Sequence, residues 1–550
     1  MSQQTVSALN PDDIFHDPGD IFFINPQVGE IRLKVTKNSI LGASIVVGPQ
    51  SINMNITHSD DQYDYYVVNI NPFDTTFSYK LLVSDATDSL LIPAEESFRA
   101  SAATLTQTPS WSAGMTYYLI NTDGFYNGDR SNDPSDRVEW ATEPTDWSSY
   151  GGDLAGVFLQ TGYIESLDPD VIMLAPIFSA SSNHKLDPRD YRTIDPAYGD
   201  TNDLRRLINV IHGMDKRIVL SVVCTQTGDD FPAFTDVVQN GALSQYLNWY
   251  RIESWPDDSA GFKYASWRSD PRFPLLNLRD TQLHNYLISF IEYWAHFGFD
   301  GFYIGEHEEI DPGFMGALYD HMKARYPELL LLSSDCRIDK EQRSDGCYNK
   351  ALTETLIDYF VAGHINTTQF DSIVRNELFF NPPQINCARL IGLHDYSRRI
   401  ASIANPNLVE MLYAFLFTYC GSPIVVYGDE IGMTDCAPFN WGSFKWNTEQ
   451  QNRTLLNRIR EFIKIRKENP VIRDRHFFTL YIDNIKKVYA YDRGGIIVAM
   501  NSGSDHSYVE LPAWDGTYIE LMSGEKHTAY SQKLRLSIDP MSYRILKRET

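Results

Sequence analysis

Over the first hundred or so residues, apolar and polar positions alternate in short runs, as in Glu30–Thr36, Ala43–Val47 and Tyr65–Ile70, broken by Gly, Pro and Asp turns. The pattern predicts a β-rich module over residues 1–112, of the immunoglobulin-like sandwich type. From Met115 the rhythm changes to short apolar runs separated by helical stretches, and it persists for about three hundred residues. Eight such runs are assigned as strands: Thr116–Ile120, Val171–Ala175, Ile218–Val223, Gly301–Ile304, Leu329–Ser333, Gly346–Asn349, Ala388–Leu393 and Ile424–Tyr427. Eight is the closing number of a (β/α)₈ TIM barrel, here spanning residues 113–475. The stretch 224–275 after the third strand is too long for an ordinary βα loop and is expected to be an inserted subdomain. Alternation returns in Lys487–Tyr491, Gly495–Met500 and Leu534–Ile538, predicting a C-terminal antiparallel β-domain over 476–550. The fold class is therefore α/β, a barrel with a β-domain at each end.

Composition narrows the function classes. The 550 residues are 43% hydrophobic and 13% aromatic, enough for a large core, and carry a formal charge of −25. That charge argues against a nucleic-acid or anionic-membrane partner. No window reaches the roughly 18 apolar residues of a membrane span, and Met1–Phe15 lacks a basic segment followed by an apolar run, so a cytoplasmic location is expected. The cysteines at 224, 336, 347, 387, 420 and 436 are dispersed without a CxxC spacing, and most are expected to be buried free thiols.

Several ordered motifs then carry a resemblance: Phe125–Pro134 (FYNGDRSNDP), Gly151–Leu154 (GGDL), Pro176–Phe178 (PIF), Ser182–Lys185 (SNHK), Ile194–Pro196 (IDP), Gly228–Pro232 (GDDFP), His394–Asp395, and Gly421–Pro423 (GSP) through Tyr427–Met433 (YGDEIGM). Together they resemble the cyclomaltodextrinase, neopullulanase and maltogenic amylase branch of the alpha-amylase superfamily, across nearly the whole chain. The resemblance implies the same domain order and retaining chemistry at α-1,4 glucosidic bonds. That chemistry uses a carboxylate nucleophile and a carboxyl acid/base about 5–5.5 Å apart. Neighbouring strands lie about 4.8 Å apart, so the pair belongs at the C-terminal ends of strands four and five.

There the chain departs from the family. Strand four reads Phe299-Asp-Gly-Phe-Tyr-Ile-Gly-Glu306, with Tyr303 where the resemblance expects arginine and Gly305 where it expects the nucleophile. Glycine has no oxygen to attack an anomeric carbon, and tyrosine lacks the permanent charge of a guanidinium. Strand five places Ser334 at the acid/base position. Ser221, Thr225 and Gln226 replace polar family residues on strand three, and Leu186 replaces a sugar-stacking tyrosine, while His184, His394 and Asp395 survive. The sequence thus predicts a catalytically inactive or repurposed protein serving glycan binding or assembly, with His184, Ser221, Gln226, Tyr303, Gly305, Ser334, His394 and Asp395 as a vestigial pocket. The alternative is an α-glucan hydrolase or transferase, acting on cyclodextrin or maltooligosaccharide, with relocated carboxylates Glu306 and Asp335 acting with Asp395. Strand side chains alternate faces, so a one-residue displacement turns them from the axis unless a bulge intervenes.

Other residues carry two readings each. Asn127, Asp129, Asn132, Asp133, Gly151 and Asp153 match a calcium site of the resembling family and offer only hard oxygen ligands, or they form polar Asx turns. His394 and Asp395 are either a sugar-pocket remnant or a hydrogen-bonded pair at a strand end. Trp255, Tyr264, Trp267 and Phe273 in the insert either stack on sugars or are core. Asp429 and Glu430 match structural positions, and the charged stretch Arg453–Lys467 reads as the solvated face of an amphipathic helix. The resemblance further implies a homodimer formed through the N-terminal domain.

Overall fold

Strands flanked by helices on one face and neighbours across a barrel on the other are buried on both sides, and so read as continuous apolar runs. The chain contains eight such strands: β1 (Tyr117–Ile120), β2 (Val171–Leu174), β3 (Arg217–Val222), β4 (Gly301–Ile304), β5 (Leu330–Ser333), β6 (Gly346–Cys347), β7 (Leu390–Ile391) and β8 (Ser422–Val426). All pair in parallel in the order β6-β5-β4-β3-β2-β1-β8-β7, and a parallel bridge between Tyr348 and Leu390 joins the two ends. Every position of β1, β2, β5 and β8 is buried. Each strand falls where the apolar runs predicted one. The structure, a computed structural model, describes residues 9–16, 21–25, 28–59, 62–71, 76–101, 108–254, 262–305, 310–334, 336, 343–380, 388–393 and 399–549.

The helices between strands form for local reasons. Thr201–Gly213 starts at Asp200, whose carboxylate accepts from the N–H groups of Asn202 and Asp203 in a reciprocal capping box, and it buries Leu204, Leu207, Ile208 and Ile211 along one stripe. Pro406–Thr418 has an Asn405 cap and proline in its first turn, and is apolar almost all round because nearly all of it is buried. Arg453–Glu468 is the predicted amphipathic helix, with one correction: Arg466 is fully buried rather than solvated. Its guanidinium donates to the carbonyls of Gly114, Phe417, Tyr419 and Gly421, satisfying acceptors that have lost water.

The chain divides into two compact units, Met1–Gln107 with Asp371–Asn386, and Thr108–Phe370 with Cys387–Thr550. The first holds two five-stranded antiparallel sheets whose inner faces meet in a core including Ile31, Leu33, Val35, Ile45, Leu81 and Val83. On the opposite face of the strand Val28–Thr36, Glu30 and Arg32 form a buried ion pair at 2.5 Å. The second unit contains the barrel, its insert and the C-terminal β-domain, a six-stranded sheet packed with the antiparallel pair Ser507–Pro512 and Lys533–Ile538.

The cysteine expectation needs correction. Cys336 and Cys347 form a disulfide, while Cys224 and Cys420 are buried thiols and Cys436 is half-buried. Their eleven-residue separation matches no motif, and only the fold of the segment between strands five and six brings them together. Cys387 lies outside the described residues. Among the described residues no helix is long and apolar enough to cross a membrane.

Candidate active site

The barrel places side chains at the C-terminal ends of its strands, and Ser221, Tyr303, Gly305 and Ser334 stand at or just past those ends of β3, β4 and β5. In the parallel register Ser221 on β3 stands beside Tyr303 on β4, and Tyr303 beside Leu332 on β5. The ladder runs on without a bulge: Gly305 N–H donates to Val222 at 2.8 Å and Ser334 N–H to Ile304 at 3.1 Å. At Gly305, just past the strand, φ is +88°, a conformation that glycine adopts without strain. A Cβ there would lie 2.7 Å from Ile310 Cδ1 and 2.9 Å from Ser334 Oγ. The two positions that lack family carboxylates therefore abut one another, and a side chain at the first would require both neighbours to shift. Glu306, Asp335, His394 and Asp395 lie outside the described residues.

His184, Ser221 and Tyr303 line one cavity at the barrel mouth, with Leu186, Asn121, Tyr348, Phe439 and Trp441. Its volume is about 40 Å³, space for a few waters rather than a pyranose ring. Asn121 follows β1, Tyr348 follows β6, and Phe439 and Trp441 sit in the loop after β8, positions that the rule of C-terminal strand ends identifies although no motif singles them out. Phe439 adopts φ of +61°, uncommon for a bulky residue, and packs on Trp267 and His184 at ring separations of 5.0 and 5.4 Å. Gln226 is not a pocket group. Its amide donates to the Leu186 carbonyl at 3.1 Å and accepts from Thr225, tying the end of β3 to the loop bearing His184.

His184 Nδ1 is held between two groups, the Leu186 N–H at 3.1 Å and Ser182 Oγ at 2.9 Å. Burial, with the Lys185 charge adding to it, pushes the imidazole down to about 3, so it stays neutral. Nearby, burial raises Asp187 to about 6 despite hydrogen bonds from Ser182. Leu186, Trp267 and Phe273 are buried together in one apolar cluster, so these insert aromatics are core. Tyr264 packs edge-on against Phe234 at 4.8 Å, and Trp255 lies outside the described residues.

Asp429 and Glu430 are structural, as their sequence positions suggested. Asp429 pairs with the buried Arg399 at 2.7 Å. Glu430 Oε1 accepts from the hydroxyls of Tyr118 and Tyr163, both at 2.7 Å, while Oε2 has no partner among the described residues. Burial without a counter-charge raises Glu430 to about 7.

The oxygen-rich loop is only partly spent on its own turns. Asp153 caps the helix Leu154–Leu159 and accepts from the N–H groups of Gly156, Gly128 and Asp129, while Asp129 accepts from Ser131. Asp133 takes a hydrogen bond from Asn127 Nδ2 at 2.5 Å and pairs with Arg137 at 2.9 Å. The buried oxygens Asn127 Oδ1 and Asn132 Oδ1 have no donor among the described residues. Gly151, at φ of +76°, is pressed so near that a Cβ would sit 2.7 Å from Asp133 Oδ1. Orphaned amide oxygens beside a carboxylate fit a hard cation. Among the described residues no group of three or more His, Cys, Asp or Glu side chains is arranged to hold a metal, so such a site would depend on amide and carbonyl oxygens.

Residues 119–335 match the model of the alpha amylase catalytic domain. The chain is 30% identical over 498 residues to a cyclomaltodextrinase of Thermoanaerobacter pseudethanolicus, covering 84% of this chain and 86% of that protein. It is 27% identical over 557 residues to neopullulanase 2 of Thermoactinomyces vulgaris, covering 94% and 95%. A solved cyclomaltodextrinase superposes with a TM-score of 0.88 at 22% identity, over 98% of this chain and 100% of that one. These relatives overturn the expectation of a catalytically inactive or repurposed protein, for they are named as enzymes and match over 84% and 94% of the chain. The expectation rested on the residue types at two strand ends, Gly305 and Ser334, whereas the carboxylates next to them in sequence, Glu306 and Asp335, lie outside the described residues. The chain belongs to the alpha-amylase family, in the branch of the cyclomaltodextrinases, neopullulanases and maltogenic amylases.

Proposed function

We propose that this protein hydrolyses α-glucans of the cyclodextrin and maltooligosaccharide class, or transfers their glucosyl units, with retention of configuration. The names of its relatives support the substrate class. The observation that carries the reading is the match to named glucan hydrolases over 84% and 94% of the chain. In this reading Glu306 supplies the nucleophile and Asp335 the acid/base, with Asp395 assisting, all three outside the described residues. His184, neutral through the working pH range, is available to hydrogen-bond a sugar hydroxyl. The present cavity is too small for glucose, so substrate entry requires it to widen.

Calcium fits the loop at Asn127, Asn132, Asp133 and the Gly151 carbonyl, where it would supply positive charge that fixes the loop after β1. Asp129 and Asp153 contribute chiefly by bracing that loop. A homodimer through the N-terminal sandwich is part of the same proposal, by analogy with the branch. Proton NMR of freshly released sugar tests the mechanism. Initial formation of the α-anomer is expected, and initial β-anomer would reject the retaining pair.

A further inference from the structure

The C-terminal β-domain, with residues 468–471 at the end of the last barrel helix, borders a second, larger concavity. It has a volume of about 700 Å³ and is bordered by the turn around Trp514, the strand bearing Phe478, and the Gly494–Gly495 turn. That is within the range of small-ligand sites, whereas the barrel-mouth cavity is not. Two large aromatic side chains face it while remaining open to solvent, Trp514 at 72% and Phe478 at 58% exposure. An exposed tryptophan and phenylalanine sharing one hollow are unlike scattered surface apolar residues, and mark a site of contact.

The Trp514 turn is braced rather than loose. The hydroxyl of buried Tyr518 donates to the Trp514 carbonyl at 3.1 Å. Arg548 donates to the Asp515 carbonyl at 2.7 Å, and the Asp515 carboxylate accepts from the Gln532 N–H at 2.6 Å. Three hydrogen bonds thus hold the backbone that carries the indole, which lowers the ordering entropy that binding would otherwise have to overcome. Opposite, His476 is fixed by Asp492 at 3.2 Å, and Lys547 by Asn469 at 2.7 Å. At Gly495 a Cβ would meet nothing within 4 Å, so the floor stays open.

We infer that this hollow is an auxiliary oligosaccharide-binding site, in which Trp514 and Phe478 stack on pyranose faces and the rim of His476, Gln532 and Lys547 takes the hydroxyls. A pyranose ring presents a C–H face beside a belt of hydroxyls, which matches an aromatic platform inside a polar rim. A protein partner would favour a flatter, broader patch than two rings in a concavity. The choice of an α-glucan as the ligand rests on the function proposed above. The site would hold long chains near the barrel without taking part in bond cleavage.

Affinity electrophoresis of the full chain through gels containing amylopectin tests this, with Trp514→Ala and Phe478→Ala beside the wild type and maltotriose hydrolysis as a parallel readout. Retardation of the wild type, reduced about tenfold in apparent affinity by either substitution with maltotriose turnover unchanged, is expected. Equal retardation of wild type and both variants, or none for the wild type, overturns the inference. So does a wild type that self-associates in light scattering while Trp514→Ala does not, since the hollow is then a protein interface. Absence of maltotriose turnover in all three, with the retardation pattern intact, would reject the proposed catalysis and leave the binding site standing. Two independent variants of exposed residues guard against misfolding of one.

Discussion

Gly305 on the barrel's fourth strand and Ser334 on its fifth are so close that a Cβ on the glycine would lie 2.9 Å from the serine Oγ. A side chain at 305 would need Ser334 and Ile310 to shift and would hold a φ that side chains rarely adopt. Restoring the family residue by Gly305→Asp should therefore not increase activity. Placing a side chain at φ of +88° against two neighbours should destabilise by roughly 1–3 kcal/mol. Thermal unfolding checks this. An aspartate variant of unchanged stability and higher turnover would refute it.

Glu430 makes stability fall with rising pH. Its carboxyl is raised from 4.5 to about 7 by burial, so between those values the folded chain keeps a proton that the unfolded chain has released. Stability is lost across that window, by roughly 3 kcal/mol, and changes no further above it. Asp187 and Asp345, both raised to about 6, slope the same way, so the diagnostic is the difference from Glu430→Gln. The variant should match the wild type near pH 4.5 and exceed it near pH 7.5 in urea unfolding. Parallel curves would contradict this.

Calcium should stabilise the folded chain in proportion to the logarithm of its free concentration. Asn127→Ala and Asp133→Ala, which remove an orphaned amide oxygen and the adjoining carboxylate, should flatten that response. Melting temperature in chelator against millimolar calcium is the measurement. An unchanged melting temperature, with no metal by elemental analysis, would count against the site.

Light scattering at micromolar concentration should give twice the chain mass, falling to a single chain when residues 1–112 are removed. A two-fold interface uses the same patch twice, so losing the sandwich removes both contributions. A monomeric full-length protein would reject the dimer.

The strand pattern was legible because barrel strands are buried on both faces, and Val171–Leu174 or Leu330–Ser333 can hardly be read otherwise. What was not legible depends on single backbone angles and on distant neighbours. Alternation predicts where Tyr303 points, and it stops being a guide at Gly305, whose positive φ no residue pattern announced. Leu186 shows a substitution only as the loss of a tyrosine until Trp267 and Phe273 are seen packed on it. Arg466 has the sequence look of a solvated charge, and four carbonyls of distant segments are needed to see why it is buried. The Cys336–Cys347 bond likewise follows from chain path, not spacing.

Release of reducing sugar from β-cyclodextrin by the full chain, measured beside Glu306→Gln and Asp335→Asn, bears most directly on the proposed catalysis. Steady turnover by the wild type, lowered roughly a thousandfold by either substitution, is expected when a nucleophile or acid/base is removed. No turnover of cyclodextrin, maltooligosaccharide or pullulan by the wild type, or turnover untouched by both substitutions, would contradict it.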